Sequence, residues 1–453
     1  MLLFNQQLLI YLLYKYIYDM KLSRYNHYME NENYSYWYNP LYNQFFRLPL
    51  ALGQKLNQHL TSKQDLSHIS ETLHSKFVES HFLVDEEMDE LELVRSNYKA
   101  AINSKNAFLI IMPTLNCNYS CWYCIQKHIV SIMSEDTKDA ILRHVKYLID
   151  VERIESLHID WFGGEPFMFY RQVVKPISKA VMKMCDEAGI PFMNSATTNA
   201  YFLAEDVTRD LEDLRFSMFQ ITLDGDREHH DKVKFMKGLD SAFDLALINI
   251  NRILDESEHT RILLRINYTH SNISERIVDE VCDLISVENR NRVIIMPKKV
   301  WQEKVDKEFE NVLEPIIRKF SDSGFWVEFW APIQNFMPCY ASSKYYKAIN
   351  YNGHVLKCTA NDDLYRTDPL GVIAESGEVI WKAGFEEKSC ESGFENEKCL
   401  SCKKLPSCMG LCPRNHQSHS GGCSYNAADA TYETSVMAFV DEQYRRTREN
   451  QHK

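Results

Sequence analysis

From residue 107 the chain repeats one pattern: a short apolar run, then a longer stretch with apolar residues at three- and four-residue spacing. The runs AFLIIM, LHIDWF, FMNSATT, FSMFQITL, ILLRINY and RVIIMP begin at residues 107, 157, 192, 216, 262 and 292. Runs of that length, bounded by turn signals, predict strands. The intervening stretches 134–150, 169–188, 240–255 and 273–287 are long enough for crossover helices. Six such βα units, over residues 106–332, predict a parallel sheet, either open or curled into part of a barrel. In such folds the chemistry lies on loops at the carboxyl ends of the strands.

Upstream the pattern differs. RYNHYMENENYSYWYNPLYNQFFRLP, from Arg24, alternates aromatic and polar residues and predicts two or three short strands, with Asn39-Pro40 in a turn. ALGQKLNQHL and LSHISETLHSKFVESHFLV then show helical spacing, so residues 20–105 predict a small α+β module. Residues 1–19 are apolar but interrupted by Asn5, Gln6, Gln7, Lys15 and Asp19. They lack a basic start and a small-residue cleavage site and fall short of the ~20 residues a membrane span needs, which leaves Met20 as an alternative start. Beyond about residue 335 strand and helix signals fade until an amphipathic helix near 431–447. That stretch predicts a region held by metal more than by an apolar core.

A net charge of -12 argues against a nucleic-acid partner, because neutralising phosphates needs clustered Lys and Arg. The 13 cysteines are an odd number and most fall in two tight groups, which favours metal ligation over a disulfide framework. With no secretion signal and no membrane anchor in evidence, the cytoplasm is the expected compartment.

The first group is NCNYSCWYC, with Cys117, Cys121 and Cys124 directly after the first strand. A structural zinc takes four ligands, and His128 is a nominal fourth. Three thiolates on a cubane would instead leave one iron open for catalysis. CxxxCxxC in this position, with Tyr123 before its last cysteine, resembles the radical S-adenosylmethionine (SAM) enzymes. The resemblance implies that the three cysteines hold a 4Fe-4S cluster whose fourth iron chelates SAM, and that reductive cleavage of SAM yields a 5′-deoxyadenosyl radical. It extends to FGGEP (Gly163, Gly164, Glu165, Pro166), expected at the SAM amino group, to TTNA (Thr198, Asn199), and to TLDG followed by HHDKVK (Asp224, Lys234). Arg265 and Asn267, in the fifth run, match positions that line the family's SAM site. Two departures stand out: Ala200 replaces a glycine, and Lys234 an arginine whose bidentate fork a lysine lacks.

The second group comprises Cys339, Cys358, Cys399, Cys402, Cys408, Cys412 and Cys423. Without the family, CLSC with further cysteines reads as a zinc ribbon, although seven thiols exceed one zinc. Its spacing resembles the seven-cysteine SPASM domain that follows some radical SAM barrels. This implies two auxiliary 4Fe-4S clusters, three clusters in all: one on Cys339, Cys358 and Cys412, the other on Cys399, Cys402, Cys408 and Cys423. Cys390 is read as a bystander, and Cys185 and Cys282 as core thiols.

The fold expected is thus α/β: a partial (βα)6 TIM-type barrel (106–332) with a small N-terminal α+β module (20–105), a C-terminal iron–sulfur SPASM domain (333–430) and a last helix (431–453). The expected function is a peptide maturase that abstracts hydrogen from a ribosomally made precursor and forms a thioether or carbon–carbon cross-link. The precursor's leader would dock on residues 20–105 by strand addition, and an external donor such as a flavodoxin or ferredoxin would supply electrons. The alternative within the family is formylglycine generation in sulfatases, whose enzymes carry an Asp where this chain has Thr359. An iron–sulfur electron carrier or metal-stapled scaffold is the alternative of another class. No catalytic acid or base is identified from the sequence.

Overall fold

The computed structural model describes residues 20–62, 71–303, 307–327, 338–360, 362–385, 394, 396–409 and 429–451. The chain forms two compact units, one of residues 104–329 and 344–387, the other of the remaining segments.

The larger unit is built on an eleven-stranded sheet. Strands β6 (Asn106–Ile111), β7 (Ser156–Trp161), β8 (Phe192–Thr198), β9 (Phe216–Leu223), β10 (Arg261–Tyr268), β11 (Val293–Lys299) and β12 (Trp326–Val327) lie side by side in chain order, all parallel. Sequential order means that each crossover returns to the next strand without a switch point, the winding of a partial TIM-type barrel. The six predicted runs coincide with β6 to β11 within two residues at each end.

The crossover helices bury one stripe against the sheet. Ile141 and Val145 on Glu135–Tyr147, Ile177 and Val181 on Lys175–Ala188, and Leu247, Ile250 and Leu254 on Ala242–Glu256 join Leu157, Ile159, Trp161 and Phe219 in the main core. Ser134 and Ser241 cap the first and third of these helices, accepting from Thr137 and Asp244 N–H. Gly189, at φ +68°, ends the second.

The sheet continues past residue 332. β13 (Tyr346–Ile349) pairs parallel with β6, and β14 (His354–Leu356), β15 (Gly371–Ile373) and β16 (Val379–Trp381) follow antiparallel. These strands are three or four residues long, too short to show a period in the sequence.

The smaller unit holds the aromatic module. β1 (Met20–Leu22) pairs antiparallel with β5 (Leu83–Asp85), and β2 (His27–Glu30), β3 (Tyr34–Asn39) and β4 (Gln44–Pro49) form a separate antiparallel sheet. Tyr28, Trp37 and Phe46 face helices Leu50–Thr61 and Glu71–Glu79. Met29, Tyr36 and Tyr38 face the last helix, Asp429–Gln451, through Tyr432, Val436 and Phe439. The alternation in the sequence thus reflects a sheet covered on both faces, with Asp441 ion-paired to Arg47. No helix among the described residues is long and apolar enough to cross a membrane.

Candidate functional site

The carboxyl ends of β6 and β7 meet through backbone bonds. Gly164 N–H donates to Thr114 O (3.1 Å) and Glu165 N–H to Asn116 O (2.8 Å), which fixes the residues leading into Cys117. Only glycine permits this approach. A Cβ on Gly164 would lie 2.0 Å from the Asn116 carbonyl oxygen, and one on Gly163, at φ +118°, would lie 2.4 Å from that of Thr114.

Glu165 is fully buried and ties β7 to β8. Its Oε1 accepts from Phe167 N–H (3.0 Å) and the Thr198 hydroxyl (2.8 Å), and its Oε2 from Asn199 N–H (2.8 Å). Burial lifts this carboxyl to about 7, the three donors opposing. A carboxylate offers about four acceptor directions, so capacity for one more donor remains. Asn199 Nδ2 reaches Asn118 Oδ1 at 2.8 Å and lies 3.7 Å from Cys117 Sγ.

On the other side, Asp224 anchors a buried network. Lys234 Nζ donates to Thr222 O and stands 3.5 Å from Asp224 Oδ2. Asn267 Nδ2 lies 3.3 Å from Asp224 Oδ1 and accepts at Oδ1 from Arg265 Nε (2.8 Å). The Tyr123 hydroxyl joins Asp224, and burial followed by that charge holds it well above the ordinary tyrosine range. Burial lowers Arg265 from its usual value.

One pocket is lined by Cys117, Cys121, Cys124, Tyr123, Gly163, Gly164, Thr198, Asn199 and Lys234. Glu165, Pro166, Asp224 and Arg265 are not among the lining residues. Glu165 braces β7 to β8, Pro166 opens the turn Pro166–Phe169, and Asp224 and Arg265 belong to the network that includes Lys234. Tyr119 and Gln126 also line the pocket, within the cysteine loop, and the sequence carried no separate signal for them.

The donor set fits a cluster. Among the described residues, no three His, Cys, Asp or Glu side chains converge closely enough for one ion. Cys117, Cys121 and Cys124 share one pocket with His128, so the lining offers three thiols and one imidazole as donors. Asn118 Nδ2 and Gln126 Nε2 are buried donors without a partner, suited to sulfide or cofactor acceptors. Burial pushes the Cys117 thiol up to about 12 and raises Cys121 and Cys124, and a metal's positive charge beside them would favour their thiolates.

The second group is described in part. Cys399 and Cys408 lie in two single helical turns, Glu397–Leu400 and Leu405–Cys408, with Cys402 in the link between them, and the segment packs through Leu405 and Met409 on Tyr25, Val94 and Tyr98. Cys339 precedes the turn Tyr340–Ser342 in the smaller unit, and Cys358 follows β14 in the larger. Cys390, Cys412 and Cys423 lie outside the described residues. Cys185 is fully buried in the main core and Cys282 packs against it.

Residues 111–277 match the Radical SAM superfamily. Among solved structures, native anSMEcpe with bound AdoMet superposes with a TM-score of 0.52 at 17% identity, over 75% of this chain and 97% of that one. The same protein with AdoMet and the Kp18Cys peptide gives 0.52 at 16%, over 75% and 98%. Streptococcus suis SuiB bound to S-adenosylmethionine gives 0.49 at 16%, over 89% and 97%. No curated protein matches the sequence at a significant level. At these identities the anSMEcpe structures speak to the fold alone, and with the cysteine loop and its glycine brace the family match identifies residues 111–277 as a radical SAM domain.

Proposed function

We propose that this chain is a radical SAM/SPASM peptide maturase that cross-links a ribosomally made precursor. The observation that carries the reading is the pocket itself, where the three thiols share one wall-to-wall space with the strand-end residues of β7, β8 and β9. Support for a peptide substrate comes from anSMEcpe, a protein of this fold that holds AdoMet together with a peptide. SAM on the cluster supplies a 5′-deoxyadenosyl radical able to take hydrogen from an unactivated carbon.

The chain's own residues divide the remaining work. Cys117, Cys121 and Cys124 hold the cluster, with Tyr123 against Asp224 packing the loop. Glu165 accepts from the SAM ammonium, and Lys234 offers charge to its carboxylate, limited because Asp224 already neutralises it in part. Cys339, Cys358 and Cys412 hold one auxiliary cluster and Cys399, Cys402, Cys408 and Cys423 the other. The aromatic module of residues 20–105 takes the leader, a flavodoxin or ferredoxin delivers electrons, and the protein works in the cytoplasm.

Formylglycine formation in a sulfatase is the second reading, weakened by Thr359. The test is the mass of the peptide encoded beside this gene after anaerobic incubation with the reconstituted protein, SAM and reductant. Loss of a pair of hydrogens supports a cross-linking maturase. An unchanged precursor beside an oxidised sulfatase cysteine peptide would replace it with the second reading.

A further inference from the structure

The inner face of the barrel sheet carries a polar chain that the SAM pocket does not use. Side chains alternate along β7, so Leu157, Ile159 and Trp161 enter the main core while His158 and Asp160 face the other way. On β8, Ser195 is the register partner of Asp160. The Ser195 hydroxyl donates to Asp160 Oδ1 at 2.5 Å, and His158 Nε2 lies 2.7 Å from the same hydroxyl. A hydroxyl has one proton to give, so with Ser195 donating to Asp160, His158 donates from Nε2. Burial keeps His158 neutral, pushing it down to about 4, which fits a single proton on that nitrogen. Phe108 stacks on the ring at 4.8 Å and holds its plane.

The chain therefore runs His158 to Ser195 and ends on the carboxylate of Asp160, a residue that is only partly buried. Its position connects it to the reaction space. Ser195 sits two residues before Thr197 on the same face of β8, about 7 Å along the strand at ~3.3 Å per residue, and Thr197 lines the SAM pocket. The groups flanking Asp160 are Ile110 on β6, Ser195 on β8, His158 on its own strand and Phe162 just past that strand's end. No other charged group contributes to its titration, and burial against the Ser195 bond sets it at about 6. A neutralising salt bridge, the usual structural reason for an inward carboxylate, is missing among the described residues.

We propose that Asp160 is the proton acceptor of the barrel interior, held by Ser195 and His158, and that it takes the proton from an S–H, N–H or O–H group of the substrate side chain. The proton passes to the carboxylate, giving Asp160–COOH, and the electron pair of the broken bond stays on the substrate heteroatom. The inference rests on the peptide-maturase reading, and it fills the place left by Thr359, which cannot act as a carboxylate base.

The experiment follows 5′-deoxyadenosine and modified peptide together, in wild type, Asp160→Asn and Ser195→Ala, from pH 5.5 to 8.5, with the peptide encoded beside the gene. Asp160→Asn is expected to keep SAM cleavage within about twofold while modified peptide falls at least ~100-fold, the scale of a lost general base. Wild type should lose product on an acid limb near pH 6. Ser195→Ala removes a donor to the carboxylate, so its limb should move to higher pH and its rate recover in alkali. Histidine ¹⁵N spectra of the oxidised protein give a readout without turnover: His158 protonated on Nε2 in wild type, mixed tautomers in Ser195→Ala. Wild-type product rates in Asp160→Asn, or equal losses of cleavage and product in both variants with no change in the acid limb, would overturn the inference alone. A wild type that cleaves SAM and modifies no peptide overturns the maturase reading and the inference with it.

Discussion

The two described cysteine regions are built on opposite plans. Cys117–Cys124 is an irregular loop whose position is set by its neighbours: glycines press against its entry, Glu165 fastens the next two strand ends, and a buried network around Asp224 closes the far side. Cys399–Cys408 carries its own local order, two helical turns linked by Leu405 N–H to Cys402 O at 3.2 Å and seated on Tyr25, Val94 and Tyr98. The first region is shaped by a scaffold before any metal arrives, as a site that binds and releases a cosubstrate requires. The second rests on a few apolar contacts and turns, so metal ligation has more folding to supply.

The strongest way to break the contrast is Gly164→Ala. Its Cβ would meet a backbone oxygen that cannot swing aside, so the Asn116 carbonyl and with it Cys117 must move. SAM cleavage is expected to fall at least ~1,000-fold, about 4 kcal/mol, while Cys399–Cys408 keeps its hydrogen-exchange protection. Retained cleavage would show that the loop does not depend on its brace.

The mirror experiment is Leu405→Ala. Leu405 is almost completely buried, and truncating such a leucine costs about 2–5 kcal/mol. Exchange should rise around residues 396–409, and SAM cleavage should stay within about twofold. A parallel collapse of cleavage would mean that the two regions are not independently built.

Acid sharpens the comparison further, because the strongly depressed histidines among the described residues belong to the barrel unit. His144 Nδ1 bonds Gly377 O at 2.8 Å, and burial pushes the ring down to about 4. The unfolded chain then binds this proton first, so the stability it contributes is full above pH 6.5 and is lost as pH falls toward 4. The loss is on the order of 3 kcal/mol. Asp160 and Glu165, both raised, act in the opposite direction: the folded state holds their protons longer, and acid relieves them. The histidine share is isolated by His144→Asn, which keeps a donor for Gly377. Denaturant midpoints at pH 7 and 4.5 should differ less in the variant than in wild type, and an unchanged difference would remove His144 from the account.

What the sequence revealed follows the same division. β6 to β11 are legible because strands of a parallel sheet carry long apolar runs, and the glycine pair stands out in FGGEP as a place of close backbone approach. What it approaches is not legible, since the 2.0 Å approach to Asn116 joins residues 48 positions apart (164 against 116). Lys234 was matched by spacing to a SAM contact, yet its pairing with Asp224 depends on how the segment after β9 folds back. The chain from His158 to Asp160 left no motif at all, because two strands contribute to it and the irregular register at Asn194/Ser195 decides which β8 residues face inward.

Ala200 is the smallest probe and the most discriminating about the loop's scaffold. Its φ of +66° explains why the family pattern has glycine there: an L residue in this region costs roughly 1–2 kcal/mol. Ala200→Gly would remove that strain. It would also strip a fully buried methyl, worth ~0.8 kcal/mol, and give the unfolded chain more freedom, ~0.4–1 kcal/mol. The terms nearly cancel, so a stability change under ~1 kcal/mol is expected, with SAM cleavage unaltered because Asn199 N–H still reaches Glu165. A larger gain in stability would show that the methyl is poorly packed and that the chain tolerates strain at this strand end. A loss of cleavage would show instead that the stiffness of Ala200 holds Asn199 against the cysteine loop.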